Sequence, residues 1–382
     1  MWRLEGIDSE EFVRQYWQKK PCLLRNAFDN FESPVSPEEL AGLACEEDVH
    51  CRLVVEKDGD SPWCVRYGPF EEDDFLGLPE SHYSLLVSEC EKWFPDLAEL
   101  LDQFRFIPDW RIDDLMLSYA PEQGSVGPHV DEYDVFLLQA LGQRRWQYTD
   151  KPVDNPVLIP DLELAILQDF KPDQEVVLHP GDMLYLPPGI AHHGVALERC
   201  MTFSIGFRAP TAAAALESFA LESGNLGISN KRYRDEDLEL DRHSSEITDR
   251  EIEKFKSLIL DLFDQPQSLW NDCVGKLLSD SAVTSAGESE QPVYISDLQA
   301  CAWLRHPDTR MLYHRSGNAL RLYCNGRAYD LPAEDPVIDC LRQLCEKREW
   351  SQDLIRRCIA LEPMQTLLVE LAYHGAIMPS DE

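Results

Sequence analysis

The hydrophobic pattern of the chain is first helical and then changes to short strands. Residues 8 to 18 open with capping residues and place apolar side chains at positions 12, 13, 16 and 17, which predicts an amphipathic helix. From about residue 111 to 208, short apolar runs alternate with Gly and Pro. Such closely spaced strands with turn signals are typical of a β-sandwich or barrel. The runs cover residues 115–119, 135–138, 145–148, 176–178, 183–186 and 201–207.

A helical pattern follows residue 210 and continues to about residue 278. It contains an alanine-rich stretch at 211–221 and a capping box at 248–251 that precedes a long apolar stripe. The stripe is wider than one short helical hairpin needs, so it can pack against a second copy of the chain or against the chain's own first domain. The pattern leaves both alternatives open.

The last part of the chain has the pattern of a separate small domain. Residues 279–291 are small, polar and uncapped, which predicts a linker. In the segment 292–382, an Asn-Gly turn at 325–326 joins two strand-like runs, and three helical patterns follow it. This combination suits a winged-helix-like module. The predicted fold class is α+β, with a β-rich domain over residues 1–210, a helical region over 211–278, the linker and the module.

The charge of the chain is strongly negative and unevenly distributed. Its 382 residues carry a formal net charge of -35. Residues 293 to 382 hold ten Lys/Arg and thirteen Asp/Glu, a net charge of -3, which leaves -32 on residues 1 to 292. Because nucleic-acid backbones are polyanions, we expect no direct DNA binding. The acidity fits either a solvated surface or a basic protein partner.

Neither a membrane span nor a secretory signal is predicted. No apolar run approaches the roughly 20 residues that a membrane span requires, and the start of the chain lacks the basic and apolar regions of a signal peptide. The twelve cysteines contain no CxxC pair, so reduced, mostly buried thiols are expected. We therefore expect a cytoplasmic protein without membrane contact.

Three side chains of the β-rich domain form a candidate metal site. His129 and Asp131 lie two residues apart, so on a strand both point to the same face and can reach one ion. His192 supplies a second imidazole. Two histidines and one carboxylate are the facial triad that holds non-haem Fe(II) and leaves coordination positions open for chemistry.

The spacing around the second histidine selects His192 over its neighbour His193. Gly181, Pro187 and Gly189 precede His192 at intervals that resemble the second motif of the cupin superfamily, in which a strand and a Pro-Gly turn lead to a ligand histidine. On a strand, only one of two adjacent histidines can face the ion.

An iron oxygenase that uses 2-oxoglutarate also needs a cation to receive the distal carboxylate of that cosubstrate. Arg144 and Arg145 follow a predicted strand and supply it. One of two adjacent arginines at a strand end is expected to be a surface charge. The residues alone do not decide between them.

Three segments carry a resemblance to a known family. They are Gly127 to Phe136, Gly142 to Trp146, and Pro180 to Gly194. In these segments the chain resembles the bacterial JmjC ribosomal oxygenases, and among them the arginine hydroxylases of the sixteenth protein of the large ribosomal subunit. The resemblance covers essentially the whole chain, and its specific motifs lie within residues 110 to 210.

The resemblance implies a fold, a cosubstrate and a client. The expected fold is a JmjC double-stranded β-helix, followed by a helical dimerisation region and a winged-helix-like domain, so a homodimer is expected. The expected cofactor is Fe(II), with 2-oxoglutarate and O2 as cosubstrates. The expected client is a basic ribosomal protein of the large subunit, hydroxylated on an arginine.

The resemblance also implies roles for further residues. Arg144 is the expected anchor of 2-oxoglutarate, with Ser118 and Thr202 as neighbours. The expected pocket for the target arginine consists of Asp114, Met116, Tyr133 and Ser204. An acidic partner and an aromatic face suit a guanidinium. Each alone also has a simpler interpretation, because Met116 and Tyr133 fit ordinary core packing and Asp114 fits a strand cap.

Two other functions remain alternatives at this stage. A hydroxylase of the same fold could act on histidine or another residue of a different basic protein, since the metal and cosubstrate motifs would be shared. A cupin without catalytic activity could serve as a binding module. An intact His-X-Asp with a distant histidine favours an enzyme over this module.

Overall fold

The computed structural model of the chain describes residues 4–5, 8–56, 63–237, 245, 247–280 and 292–380. It divides into two compact units, Met1–Ala209 and Pro210–Glu382. Within the described residues, no helix combines the length and apolarity needed to cross a membrane.

In the part of the chain that the structure describes, the first unit combines four short α-helices with twelve strands. In chain order they are α1 (Ser9–Gln15), β1 (Cys22–Leu24), α2 (Pro37–Leu43), β2 (Cys51–Glu56), β3 (Trp63–Tyr67), α3 (Glu72–Leu76), β4 (Tyr83–Val87), α4 (Pro95–Asp102), β5 (Ile112–Ala120), β6 (His129–Val130), β7 (Val135–Leu141), β8 (Arg144–Tyr148), β9 (Gln174–Leu178), β10 (Met183–Leu186), β11 (Ala191–Ala196) and β12 (Cys200–Phe207).

The strands of the first unit form two sheets. One has eight strands in the order β1-β10-β7-β12-β5-β4-β2-β3, and the other has four in the order β6-β11-β8-β9. Every pair of neighbouring strands is antiparallel. The four central strands β10, β7, β12 and β5 face the smaller sheet, which gives the predicted double-stranded β-helix. Strands β4, β2 and β3 extend the larger sheet at one edge.

Strict alternation of side chains divides the core of the first unit into two parts. On β5, Leu115 and Leu117 are fully buried in a large cluster with the N-terminal helices. On β7, Val135 and Leu137 point the other way and pack with Trp146 of the smaller sheet. The larger sheet is therefore covered by helices on one face and by the smaller sheet on the other.

The second unit begins with helices and ends in a mixed α/β module. Its elements are α5 (Ala212–Asn225), α6 (Asp249–Phe263), α7 (Gln267–Ser279), α8 (Ile295–Ala300), β13 (Trp303–Arg305), β14 (Met311–Ser316), β15 (Ala319–Cys324), β16 (Arg327–Pro332), α9 (Asp335–Glu346), β17 (Glu349–Trp350), α10 (Gln352–Ile359), α11 (Glu362–Tyr373) and β18 (Ile377–Pro379).

The predicted hairpin and three helices of the module are present. Asn325 and Gly326 both have positive φ and join β15 to β16. Helices α9, α10 and α11 pack against this sheet in one hydrophobic cluster. Ser279, which the sequence assigns to the linker, is the last residue of α7 and is buried. Asp280 is exposed, and linker residues 281–291 lie outside the described residues.

Candidate active site

The three predicted metal ligands meet at one end of the smaller sheet. His192 on β11 is the direct cross-strand partner of His129 on β6, and Asp131 follows β6 immediately. Nε2 of His192 lies 3.5 Å from Oδ2 of Asp131, and Nε2 of His129 lies 3.9 Å from Oδ1 of the same carboxylate. One ligand atom from each residue lies within 4.8 Å of the others, so all three can reach one ion.

Backbone carbonyls orient both imidazoles for metal binding. Nδ1 of His129 lies 2.9 Å from the carbonyl oxygen of Gly127, and Nδ1 of His192 lies 2.9 Å from that of Ile190. Because a carbonyl oxygen can only accept, each Nδ1 carries the hydrogen and each Nε2 keeps its lone pair. Burial, and after it the charge of His129, lowers the pKa of His192 to about 4. Two imidazoles that present Nε2, together with a carboxylate, fit a divalent transition metal such as Fe(II).

His193 lies on the opposite side of β11 and is held away from the triad. Its Nε2 is 2.9 Å from Oγ of Ser125, and its ring meets the edge of Phe170. Burial, with Arg144 as the next cause, lowers its pKa to about 4. Strand alternation thus separates the two adjacent histidines as the motif spacing predicts.

A cavity of about 610 Å³ opens over the triad, between the two sheets. Its walls include all ten residues that the sequence proposes for the site. These are Asp114, Met116, Ser118, His129, Asp131, Tyr133, Arg144, His192, Thr202 and Ser204. These residues span about ninety positions of the sequence. Strand pairing brings them together, because β5 pairs with β12 and β11 pairs with both β6 and β8.

Arg144 places a buried positive charge in the wall of this cavity. Its side chain is 3% exposed, one terminal nitrogen donates to the carbonyl oxygen of Gly194 at 3.2 Å, and Nε has no partner. Among the described residues it forms no ion pair with a carboxylate, and burial lowers its pKa. A buried cation without a counter-ion is costly, which makes this position a site for an anion. Arg145 points to the other face of β8 and does not line the cavity.

Ser118 and Thr202 form a hydroxyl pair on neighbouring strands. They are direct cross-strand partners, and Oγ of Ser118 donates to the carbonyl oxygen of Thr202 at 3.2 Å. Oγ1 of Thr202 donates to Oε1 of the fully buried Gln139, also at 3.2 Å. Their hydroxyl groups thus contribute polar atoms to the cavity wall.

The predicted guanidinium pocket lies along the inner faces of β5 and β12. Asp114 and Met116 alternate with core leucines on β5, and Ser204 is the cross-strand partner of Met116. Tyr133 is 43% exposed, so it is not a core residue. Desolvation, followed by the charges of Asp131 and Asp114, raises the pKa of Tyr133, so it stays a neutral hydroxyl.

A buried network anchors the segment that carries Asp131 and Tyr133. The next residue, Asp134, is fully buried and accepts from Tyr185 Oη at 2.6 Å. Its other oxygen accepts from Arg111 at 2.8 Å and from Gln18 at 2.9 Å. Side chains from three separate segments of the chain therefore hold the loop between β6 and β7 in place.

Sequence reasoning missed part of the cavity wall. His50, Arg52 and Tyr67, in or beside β2 and β3, line it, and so does Trp146 two residues after Arg144 on β8. Strand alternation from Arg144 is the signal that could have found Trp146. A lone arginine in the apolar run 51–55 is the signal that could have found Arg52.

Two family models match separate parts of the chain. Residues 99–215 match the JmjC domain, and residues 261–378 match the ROXA-like winged helix. The first match contains the triad and both sheets' central strands. The second contains the hairpin and the three helices that follow it.

Two bacterial relatives are similar over most of the chain. Ribosomal protein uL16 3-hydroxylase of Escherichia coli strain K12 is 37% identical over 337 residues, which cover 87% of this chain and 87% of that protein. A probable ribosomal oxygenase of Haemophilus influenzae is 35% identical over 341 residues, with 85% and 83% covered.

A solved structure extends the similarity to the fold of the whole chain. The E. coli ribosomal oxygenase YcfD, in complex with cobalt and 2-oxoglutarate, superposes with a TM-score of 0.83 at 33% identity and covers 99% of each chain. Similarity of this extent includes both units. The chain therefore belongs to the family of JmjC ribosomal oxygenases.

Proposed function

We propose that this protein is an Fe(II)- and 2-oxoglutarate-dependent dioxygenase that hydroxylates an arginine side chain of the large-subunit ribosomal protein uL16. The relative from E. coli is a uL16 3-hydroxylase, and a related structure holds cobalt and 2-oxoglutarate. The observation that carries the proposal is that a facial triad shares one cavity with a buried arginine that forms no ion pair among the described residues. The cavity therefore contains ligands for a metal ion and, beside them, a cation for a dicarboxylate.

His129, Asp131 and His192 are the residues that would hold Fe(II). When bound, iron would couple the reduction of O2 to the oxidative decarboxylation of 2-oxoglutarate. One oxygen atom would thereby be inserted into a C–H bond of the client. The chain contributes two oriented imidazoles, one carboxylate and a partly enclosed cavity. None of its side chains is required as a general base.

Arg144 is the proposed anchor for the distal carboxylate of 2-oxoglutarate. Its guanidinium is positioned by the carbonyl oxygen of Gly194 and by the ring of Trp146, whose centroid lies 5.1 Å away. A charge-assisted bidentate pair with a carboxylate would supply the counter-ion that this buried cation lacks. Ser118 and Thr202 are proposed as the neighbouring hydroxyl contacts.

The client arginine is proposed to enter between Asp114 and Tyr133. The carboxylate of Asp114 offers a negative partner, the exposed ring of Tyr133 offers a stacking face, and Met116 with Ser204 forms the floor. The negative charge of residues 1 to 292 favours approach of a basic ribosomal protein. We propose that this takes place in the cytoplasm.

A homodimer formed through the helical region is part of the proposal. Helix α6 has no buried residue, although it carries an apolar stripe. Ile252, Phe255 and Ile259 recur on one face of it, and each is more than half exposed. A second copy of the chain is the proposed cover for this face.

The proposal predicts that purified enzyme with Fe(II) and 2-oxoglutarate adds one oxygen atom to an arginine of uL16. Peptide mass spectrometry would locate the oxygen. An oxygen on histidine would indicate the alternative hydroxylase instead. If Asp131→Ala turned over 2-oxoglutarate as wild type does, the assignment of the metal site would be wrong and a binding module would regain support.

A further inference from the structure

Two residues of β8 that line the cavity each carry a buried nitrogen donor without a hydrogen-bond partner among the described residues. Trp146 is 5% exposed, and its Nε1 has no acceptor among the described residues. The same is true of Nε of Arg144. The two residues are separated by one position, so their side chains lie on the same face of the strand, and both line the cavity. Buried N–H groups nearly always have an acceptor, and in a ligand cavity the ligand can supply it.

The Trp146 ring lies between the proposed metal centre and the proposed anchor of 2-oxoglutarate. Its centroid is 5.1 Å from the guanidinium carbon of Arg144 and 5.9 Å from the ring centroid of His192. A molecule that reaches from a metal at His192 to Arg144 must therefore pass this ring. 2-Oxoglutarate carries carboxylate oxygens at both ends, and these are the strongest acceptors for an indole N–H.

Gly194 makes the arrangement of these two side chains sterically feasible. It is the direct cross-strand partner of Trp146. A Cβ atom at this position would lie 2.7 Å from Nε of Arg144 and 2.7 Å from Cη2 and Cζ3 of Trp146. Contacts this short force a shift, and both neighbours are held in a packed sheet, Trp146 within an apolar cluster. The glycine thus allows Arg144 and Trp146 to lie directly against the backbone of β11.

We infer that Nε1 of Trp146 donates a hydrogen bond to a carboxylate oxygen of bound 2-oxoglutarate, and that Gly194 is a positioning residue for both donors. This inference rests on the proposed function of the cavity. It adds the indole N–H of Trp146 to the charge of Arg144 and the hydroxyl groups of Ser118 and Thr202. It also assigns a role to a glycine that touches neither the metal nor the cosubstrate.

The direct test is the affinity of the Mn(II)-loaded full-length protein for 2-oxoglutarate, measured by isothermal titration calorimetry. Trp146→Phe keeps an aromatic ring and removes the N–H, so the Kd should rise about 10-fold or more. Trp303→Phe is the matched control, because Trp303 is 4% exposed and its Nε1 also lacks a partner, but it belongs to the second unit. A Kd within about twofold of wild type for Trp146→Phe would overturn the inference.

A second readout separates loss of the hydrogen bond from damage to the metal site. Mn(II) affinity, followed by electron paramagnetic resonance, should be unchanged in Trp146→Phe. If Mn(II) binding weakens as much as 2-oxoglutarate binding, the ring acts by packing against His192, and the hydrogen-bond inference is wrong.

Gly194→Ala tests the positioning role. The added methyl group should weaken 2-oxoglutarate binding, raise the KM for 2-oxoglutarate more than it lowers kcat, and leave Mn(II) affinity intact. Gly42→Ala, where an added Cβ meets no atom within 4 Å, is the control. An unchanged KM in Gly194→Ala would contradict the role. Should this variant fail to fold, the Trp146→Phe titration still decides the donor.

Failure of the inference can be told apart from failure of the proposed function. If the wild-type protein loaded with Mn(II) does not bind 2-oxoglutarate, the proposed function itself is wrong and the inference fails with it. If Arg144→Met binds 2-oxoglutarate more weakly than wild type does, while Trp146→Phe binds it as wild type does, only the inference about Trp146 is overturned.

Discussion

Asp131 and His192 approach one another within 3.5 Å, from the end of β6 and from the neighbouring strand β11. His193, the next residue, is turned to the other side and contacts Ser125. His192→Ala should therefore lower the affinity for Mn(II) by at least about 100-fold, because even outer residues of metal sites cost up to that factor. His193→Ala should retain metal binding. Electron paramagnetic resonance of Mn(II) measures both, and equal losses would contradict the assignment.

The adjacent arginines of β8 should behave differently. Arg144→Met removes the buried cation from the cavity wall, so the Kd for 2-oxoglutarate should rise about 10- to 100-fold, the range for hydrogen bonds to charged groups. Arg145→Met should change it little, since Arg145 does not line the cavity. Calorimetric titration of the Mn(II)-loaded variants distinguishes them. A larger rise in Kd for Arg145→Met than for Arg144→Met would show that Arg144 is not the anchor.

The adjacent side chains of Asp113 and Asp114 on β5 also point to opposite faces of their strand, as those of Arg144 and Arg145 do on β8. Asp114 lines the cavity, whereas Asp113 is 53% exposed by its side chain and approaches Arg208. Asp114→Asn should raise the KM for a uL16 substrate about 10-fold or more through loss of a charged partner, while turnover of 2-oxoglutarate without client persists. Steady-state kinetics check this. Equal KM values for the Asn variants at the two positions would argue against the pocket.

The buried carboxylate of Asp134 should contribute to stability. Asp134→Asn leaves Arg111 without its negative partner, so the free energy of unfolding should fall by about 3–5 kcal/mol, as for other broken buried pairs. Glu38→Gln is the control, because the Glu38–Arg199 pair is more than two-thirds exposed on both sides and should contribute little. Urea unfolding followed by tryptophan fluorescence measures the difference. Equal urea midpoints for Asp134→Asn and Glu38→Gln would show that the Asp134 network does not stabilise the fold.

The exposed face of α6 should support dimer formation. Ile252 and Ile259 lie two turns apart on one side of the helix and are each 53% exposed. The double variant Ile252→Glu with Ile259→Glu should be monomeric where wild type is dimeric, since two charges would be buried in the interface. Leu76→Glu, at an 82% exposed position of the first unit, is the control. Light scattering after gel filtration gives the mass, and a monomeric wild type would refute the proposed dimer.

Much of the architecture could be predicted from the sequence because it depends on local patterns. Short apolar runs located the central strands, the Asn325-Gly326 turn located the hairpin of the second unit, and motif spacing selected His192 over His193. Alternation along a strand is a property of two or three neighbouring residues, so it needs no knowledge of the fold.

The remaining features depend on pairing between distant strands. The choice of Arg144 over Arg145 required knowing which face of β8 looks toward the other sheet. The network of Asp134 joins residues 116 positions apart in one contact and 23 in another. The lone Arg52 in the apolar run 51–55 marks a polar position, but its assignment to the cavity wall required knowing that β2 pairs with β4 and β4 with β5.

The most direct measurement is the mass of uL16 after incubation with the enzyme, Fe(II), 2-oxoglutarate and O2. We expect a gain of one oxygen atom on a single arginine, no gain with His129→Ala or Asp131→Ala, and a smaller gain with Arg144→Met when 2-oxoglutarate is limiting. An unmodified uL16 in the presence of enzyme that turns over 2-oxoglutarate would contradict the proposed client. If Asp131→Ala modified uL16 at the wild-type rate, the assignment of the metal ligands would be wrong.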